Sequence, residues 1–151
     1  MNLITPLLKP DNVLVDLDVG SKKRLFEQAA QVIQTSHGVD AQEVFESLFS
    51  REKLGSTALG YGIAIPHGRI KQLRETACAF ARLKTPIDFD APDNQPVDLV
   101  FILLAPAAAT DVHLQILGEL AAMFSDADFR ARLRAAADAA ELHRLLSEWT
   151  P

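Results

Sequence analysis

The chain carries four histidines, His37, His67, His113 and His143, and one cysteine, Cys78. Near neutral pH an imidazole can hold a proton, a metal ion or a phosphoryl group. His37 stands before Gly38 at the end of a helical run, where it suits a capping or dipole role. His143 lies on the polar flank of the last helical run and reads as a surface residue. His67 is set differently, after Ile63-Ala64-Ile65-Pro66 and before Gly68. Pro66 fixes its own φ and biases Ile65 to extended backbone, while Gly68 leaves the chain free to turn away. The imidazole is therefore expected at the exit of a short strand, on a loop open to a partner. The plain alternative is a turn histidine without chemistry. His113 falls in the first turn of a helix that Thr110 can cap, on the face of Leu117, Leu120 and Phe124. The helix dipole disfavours an imidazolium there, so a neutral His113 can offer one fixed N–H to an anion, and free amides at the helix end favour the same anion. Its alternative is a satisfied, half-buried histidine.

Arg51 closes a second helical run, either as a favourable charge at a helix end or as a guanidinium fork for a phosphoryl group. Thr57, between Gly55 and Gly60, has a hydroxyl that can reach the same group or merely serve its turn. Other chemistries fail on spacing. Gly55 and Gly60 stand as in a P-loop, but Tyr61 occupies the lysine position. Gly60-Tyr61-Gly62 lacks the third glycine of a dinucleotide fingerprint, no serine sits in a nucleophile elbow, and no histidine pair has zincin spacing. No metal and no cofactor is expected. With one cysteine, neither an internal disulfide nor a multi-cysteine metal site is available.

These residues need a frame. Val13–Leu17 reads as a short strand. Ser21–His37 keeps helical spacing through Leu25, Phe26, Ala29, Val32 and Ile33, and Gly38 ends it. Asp40 with Glu43 starts a second helix, buried through Val44, Phe45, Leu48 and Phe49, ending near Arg51. Four of the seven glycines crowd into residues 54–69, so that stretch is no regular helix; Ile63–Ile65 suits a short strand within it. Ala77–Leu83 suits another, with Cys78, Phe80 and Arg82 on one side. Residues 86–96 read as a surface loop. Leu99–Leu104 is apolar on both faces, as in a central strand covered on both sides. Three helical runs follow, the first through Leu114, Leu117, Leu120, Ala121 and Phe124. The other two begin at capping-box-like Ser125/Asp128 and Asp138/Glu141. The pattern predicts an α/β chain folded as a three-layer α/β/α sandwich on a mixed sheet. At 151 residues, 48% apolar and 23% charged, residues 1–151 are expected to form one globular domain. A net charge of −5 lacks the footprint of a nucleic-acid or anionic-membrane binder. No run is long enough to span a bilayer and no signal peptide is visible, so a cytoplasmic protein without membrane insertion is expected.

The stretch Arg51-Glu52-Lys53-Leu54-Gly55-Ser56-Thr57, followed by Gly60, Gly62 and Ile63-Ala64-Ile65-Pro66-His67-Gly68, resembles the signature of type-2 EIIA domains. These are the mannitol/fructose-class phosphocarriers of the bacterial phosphoenolpyruvate phosphotransferase system. Asn2-Leu3-Ile4 to Asp18, Pro96–Phe101, His113–Leu117 and Met123-Phe124-Ser125 resemble the nitrogen-regulatory branch, EIIA-Ntr. The resemblance implies the mannitol-type EIIA fold. It implies His67 as acceptor of a phosphoryl group from an HPr-like carrier (NPr), with Arg51, His113 and Thr57 around it. It also implies a regulatory phosphocarrier with no independent substrate turnover, whose phosphorylation state controls binding to proteins such as potassium transporters or sensor kinases. A sugar-specific EIIA feeding an EIIB, and a binding module that takes no phosphate, are the other readings. Tyr61 departs from the family pattern, where a small polar residue is usual, and is expected to alter the docking surface beside the site.

Overall fold

The computed structural model describes residues 2–151. Six strands form one mixed sheet: β1 (Val13–Leu17), β2 (Ala58–Gly60), β3 (Ile63–Ala64), β4 (His67–Ile70), β5 (Ala77–Ile87) and β6 (Val97–Pro106). Their order is β1-β5-β6-β3-β2, and β4 follows β3 along the same side of β6. β5 and β6 are antiparallel, whereas β1 runs parallel to β5, and β3 and β4 run parallel to β6. Helices α1 (Lys22–His37) and α2 (Ala41–Leu54) cover one face; α3 (Thr110–Phe124), α4 (Ala127–Ala135) and α5 (Ala139–Glu148) cover the other. This is the three-layer sandwich the pattern predicts.

Alternation along β6 explains the two cores. Val100, Ile102 and Leu104 pack toward α1 and α2, while Leu99, Phe101 and Leu103 pack toward α3–α5. β5 divides likewise, with Ala77, Ala79 and Ala81 on the first face and Cys78 and Phe80 on the second. Arg82 reaches the second layer, donating to the carbonyls of Leu133 and Ala136 at the end of α4. Each fully buried Leu, Ile or Phe contributes about 1.5–3 kcal/mol. The doubly covered pair β5–β6 is thus the rigid reference to which the glycine-rich stretch is pinned.

Several boundaries differ from the sequence reading. α1 ends in left-handed Gly38, as read, and is capped by Ser21 Oγ, which accepts from Arg24 N. α2 runs one turn past Arg51, to Leu54, so Arg51 sits in its last turn. β5 extends through Pro86 to Ile87, because Pro86 lies beyond the stretch that pairs continuously with β6 and need not donate. Thr110 is the first residue of α3, and Ala109 precedes it without a side-chain cap. The α4 cap is Asp126, which accepts from the amides of Asp128 and Phe129, and not Ser125. Asp138 caps α5 through Glu141 N, as read. In α3 the buried stripe is His113, Ile116, Leu120, Met123 and Phe124; Leu114 and Ala121 face out. His143 is half-buried, its Nε2 bonded to the Leu8 carbonyl at 2.8 Å, so it ties α5 to the N-terminal segment. His37 ends α1 with its ring nearly enclosed, Nδ1 3.9 Å from Glu75.

Candidate functional site

Pro66 decides the local architecture around His67. Lacking an N–H, it interrupts the strand between Ala64 and His67. The main chain stays in register regardless: Leu99 N donates to Gly62 O and Leu103 N to Pro66 O, both at 3.0 Å. The chain resumes at once as β4, with His67 opposite Leu103. His67 therefore opens a sheet strand and does not sit on a free loop. At the other end, Tyr61 (φ 58°) and Gly62 (φ 78°) turn β2 into β3. Two consecutive positive φ values define a tight hairpin turn of the primed kind, which glycine adopts at least cost.

α2 passes very close to β4. A Cβ on Gly68 would collide with Ser47 Oγ and lie 3.1 Å from Ser47 Cβ and 3.2 Å from its carbonyl carbon. Ser47 Oγ in turn donates to Arg69 O. This approach brings Arg51 and Leu54 of α2 beside His67 and Arg69 of β4. α3 completes the site with His113, Leu114 and Leu117, and the three elements enclose an open cleft of about 410 Å³.

The His67 and His113 rings face each other across it, with centroids 5.7 Å apart. His67 Nδ1 lies 2.8 Å from Ile65 O. A carbonyl only accepts, so Nδ1 carries the hydrogen and Nε2 keeps its lone pair. Burial lowers the His67 pKa and the neighbouring Arg51 and Arg69 lower it further, while the Ile65 carbonyl and the Glu52 carboxylate oppose them. His113 is buried and its pKa is pushed down to about 4, first by burial and then by His67 and Arg69. Its Nδ1 is enclosed without a hydrogen-bond partner, which leaves Nε2 to meet the cleft.

Among the described residues the cleft lining contains no carboxylate. Among the described residues neither Arg51 nor Arg69 forms an ion pair. Arg51 Nη1 donates to Gly55 O, and among the described residues its remaining donors find no partner. In a chain of net charge −5, two unpaired guanidiniums beside two neutral imidazoles make a local anion site. Leu54, 85% exposed, and Leu114, 59% exposed, form an apolar rim.

Of the four residues singled out in the sequence, the structure brings His67, His113 and Arg51 to one cleft. Thr57 is buried beneath it, its N–H and Oγ1 both donating to the Glu52 carboxylate. The hydroxyl proton is thus committed to Glu52. Sequence reasoning missed Arg69 and Glu52. Arg69 has a legible signal, since it is two residues from His67 and alternation puts both side chains on one face of a strand. Glu52 has none, because a carboxylate beside an arginine at a helix end reads as solvated. Tyr61 does not flank the cleft. The strand it leads into meets β6 at Leu99, through Ile63, four residues from the His67 pairing at Leu103, or about 13 Å along the sheet. There its ring packs under the Arg130 guanidinium, 4.4 Å from the centroid, and its carbonyl accepts from Arg134.

A three-layer sandwich with a histidine pair beside two arginines at a strand opening suits a protein that holds an anionic group. Residues 6–149 match the family described as phosphoenolpyruvate-dependent sugar phosphotransferase system, EIIA 2, and the chain belongs to that family. Within it, the chain groups with the nitrogen-regulatory proteins. It is 48% identical over 141 residues to the nitrogen regulatory protein of Pseudomonas aeruginosa, covering 93% of this chain and 92% of that one. The crystal structure of nitrogen regulatory protein IIA-Ntr from Neisseria meningitidis superposes with a TM-score of 0.92 at 46% identity, over 96% of this chain and 99% of that one. The Escherichia coli IIA mannitol structure shares the fold, with a TM-score of 0.77 at 23% identity over 91% and 97% of the two chains. Among the described residues no helix is long and apolar enough to cross a membrane.

Proposed function

We propose that this chain is a regulatory phosphocarrier in which His67 Nε2 reversibly accepts a phosphoryl group from a phosphohistidine on an HPr-like (NPr-type) carrier. The observation that supports it best is the Nδ1–H bond to Ile65 O, which aims a neutral Nε2 lone pair at a cleft flanked by unpaired Arg51 and Arg69. The new P–Nε2 bond forms as the donor's P–N bond breaks, and that electron pair returns to the donor's imidazole. No proton has to leave His67, because Nε2 arrives without one. Such a transfer needs positioning and charge neutralisation rather than further covalent machinery. Arg51 and Arg69 neutralise the phosphoryl oxygens, and neutral His113 donates an N–H without adding a charge that would compete for the anion. Thr57 supports the site from below, through Glu52 and the main chain. The reaction returns an equivalent phosphohistidine, so no independent turnover is expected.

The regulatory output follows from charge. A phosphoryl group adds about −1.5 to −2 at neutral pH, enough to cancel both arginines on a patch whose rim is apolar. Target proteins that dock on Leu54 and Leu114 would then meet either a cationic or a neutral centre. The nitrogen-regulatory relatives favour this reading over a sugar-specific EIIA that feeds an EIIB. The test is intact-protein mass after incubation with phosphoenolpyruvate, an EI-type enzyme and an HPr-like carrier. Wild type should gain one acid-labile phosphate, and a folded His67→Ala should gain none. A labelled His67→Ala, or an unlabelled wild type with its cognate carrier, refutes the assignment.

A further inference from the structure

Glu52 is nearly enclosed, with a side chain only 4% exposed, yet it carries a carboxylate. Burying that charge is costly unless it is paired and fully hydrogen-bonded. Here it accepts from Lys22 Nζ at 3.0 Å, from Thr57 N at 3.1 Å and from Thr57 Oγ1. Buried ion pairs of this kind seldom add net stability over an apolar replacement, so stability alone does not account for it. What it holds is informative. Thr57 is gripped on one side by Glu52, and on the other its carbonyl accepts from Ile65 N at 3.0 Å. The Ile65 carbonyl in turn accepts from His67 Nδ1. Four bonded residues therefore link the α1 start, the α2 end, the β2 start and the imidazole: Lys22, Glu52, Thr57 and Ile65.

We propose that Glu52 is a positioning residue for the His67 nucleophile, holding the Thr57 main chain so that the Ile65 carbonyl fixes the His67 ring as the Nδ1–H tautomer. The proposal rests on the phosphoryl-acceptor reading of His67 and assigns its orientation to a residue that never touches the phosphoryl group. Glu52 also opposes, as a carboxylate, the cationic Arg51 and Arg69 that bear on His67. The position of Ile65 is not secured by Pro66 alone, since a proline constrains its predecessor's backbone region and not its place relative to β2.

Imidazole ¹⁵N NMR on the unphosphorylated chain tests this directly, with wild type, Glu52→Gln and Thr57→Val compared. Wild-type His67 should be held mainly as the Nδ1–H form. Glu52→Gln keeps size and one acceptor but removes the charge. It should lower the Nδ1–H to Nε2–H ratio by about 3- to 10-fold, the worth of one net hydrogen bond. It should also lower the His67 pKa, because a cation-stabilising carboxylate is gone. Phosphorylation by the HPr-like carrier should slow by a similar factor at unchanged donor KM, since Glu52 is off the docking rim. Thr57→Val, which removes one arm on Glu52, should move the tautomer ratio in the same direction and carries the test if Glu52→Gln does not fold. A wild-type His67 mainly protonated at Nε2, or folded variants with unchanged tautomer and rate, overturns the proposal. A wild type that takes no phosphate while its tautomer still responds to Glu52→Gln refutes the acceptor reading instead.

Discussion

Gly68→Ala isolates the contact that assembles the cleft. Gly68 is not in the left-handed region, so its backbone would accept alanine and any cost is steric. The added methyl collides with Ser47 Oγ. That hydroxyl can swing away only by abandoning its bond to Arg69 O, at a cost of about 1 kcal/mol. The methyl would still lie 3.1 and 3.2 Å from Ser47 Cβ and carbonyl carbon, inside the optimal carbon–carbon separation of about 3.5–4.0 Å. α2 must therefore retreat from β4 by about 0.5 Å, an overpacking strain of about 1–3 kcal/mol. The total loss expected in urea unfolding is about 2–4 kcal/mol. Arg51 rides on α2 and His67 on β4, so the same retreat misplaces the guanidinium. A displacement of 1 Å can cost about 100-fold, and half of it should slow phosphorylation about tenfold. Ser47→Ala combined with Gly68→Ala loses the hydroxyl bond only once, so the pair should cost about 1 kcal/mol less than the sum of the two single substitutions, a favourable coupling energy in the double-mutant cycle. A Gly68→Ala protein within about 0.5 kcal/mol of wild type, with an unchanged transfer rate, would refute the claim that this approach positions the site.

Two further outcomes follow from the same geometry. The His113 pKa, about 4 in the fold, lies below the ordinary 6.5, so the unfolded chain binds the proton more readily and stability rises with pH. The contribution is complete above about pH 6.5 and is lost as pH falls toward 4, by about 2–3 kcal/mol. His113→Gln should flatten that part of the pH profile of the unfolding free energy and transfer phosphate about tenfold more slowly; an unchanged pH slope would show that His113 is not held neutral. Leu54→Asp, at an 85% exposed position, should raise the donor KM at least about tenfold and leave urea stability within about 0.5 kcal/mol; an unaltered KM would remove Leu54 from the docking rim.

The sequence alone determined the layers and the candidate histidine. Alternation along Cys78–Arg82 and the doubly apolar Leu99–Leu104 dictate two covered faces, and Ile65-Pro66-His67-Gly68 singles out one histidine among four. These are local signals, written in periodicity and in the backbone limits of proline and glycine. Tertiary structure decided what surrounds that histidine. That Leu114 faces the rim and not the core depends on how α3 seats on the sheet; that Arg69 joins Arg51 depends on how closely α2 lies against β4, and Glu52 turns inward to grip Thr57 from the same helix. That distance is set by the absence of a side chain at Gly68 and by Ser47 opposite it. Pairwise packing between segments about 20 residues apart leaves no periodic trace in a single chain. The ring the sequence could name therefore became an oriented imidazole only once the sheet, two helices and a buried carboxylate met around it.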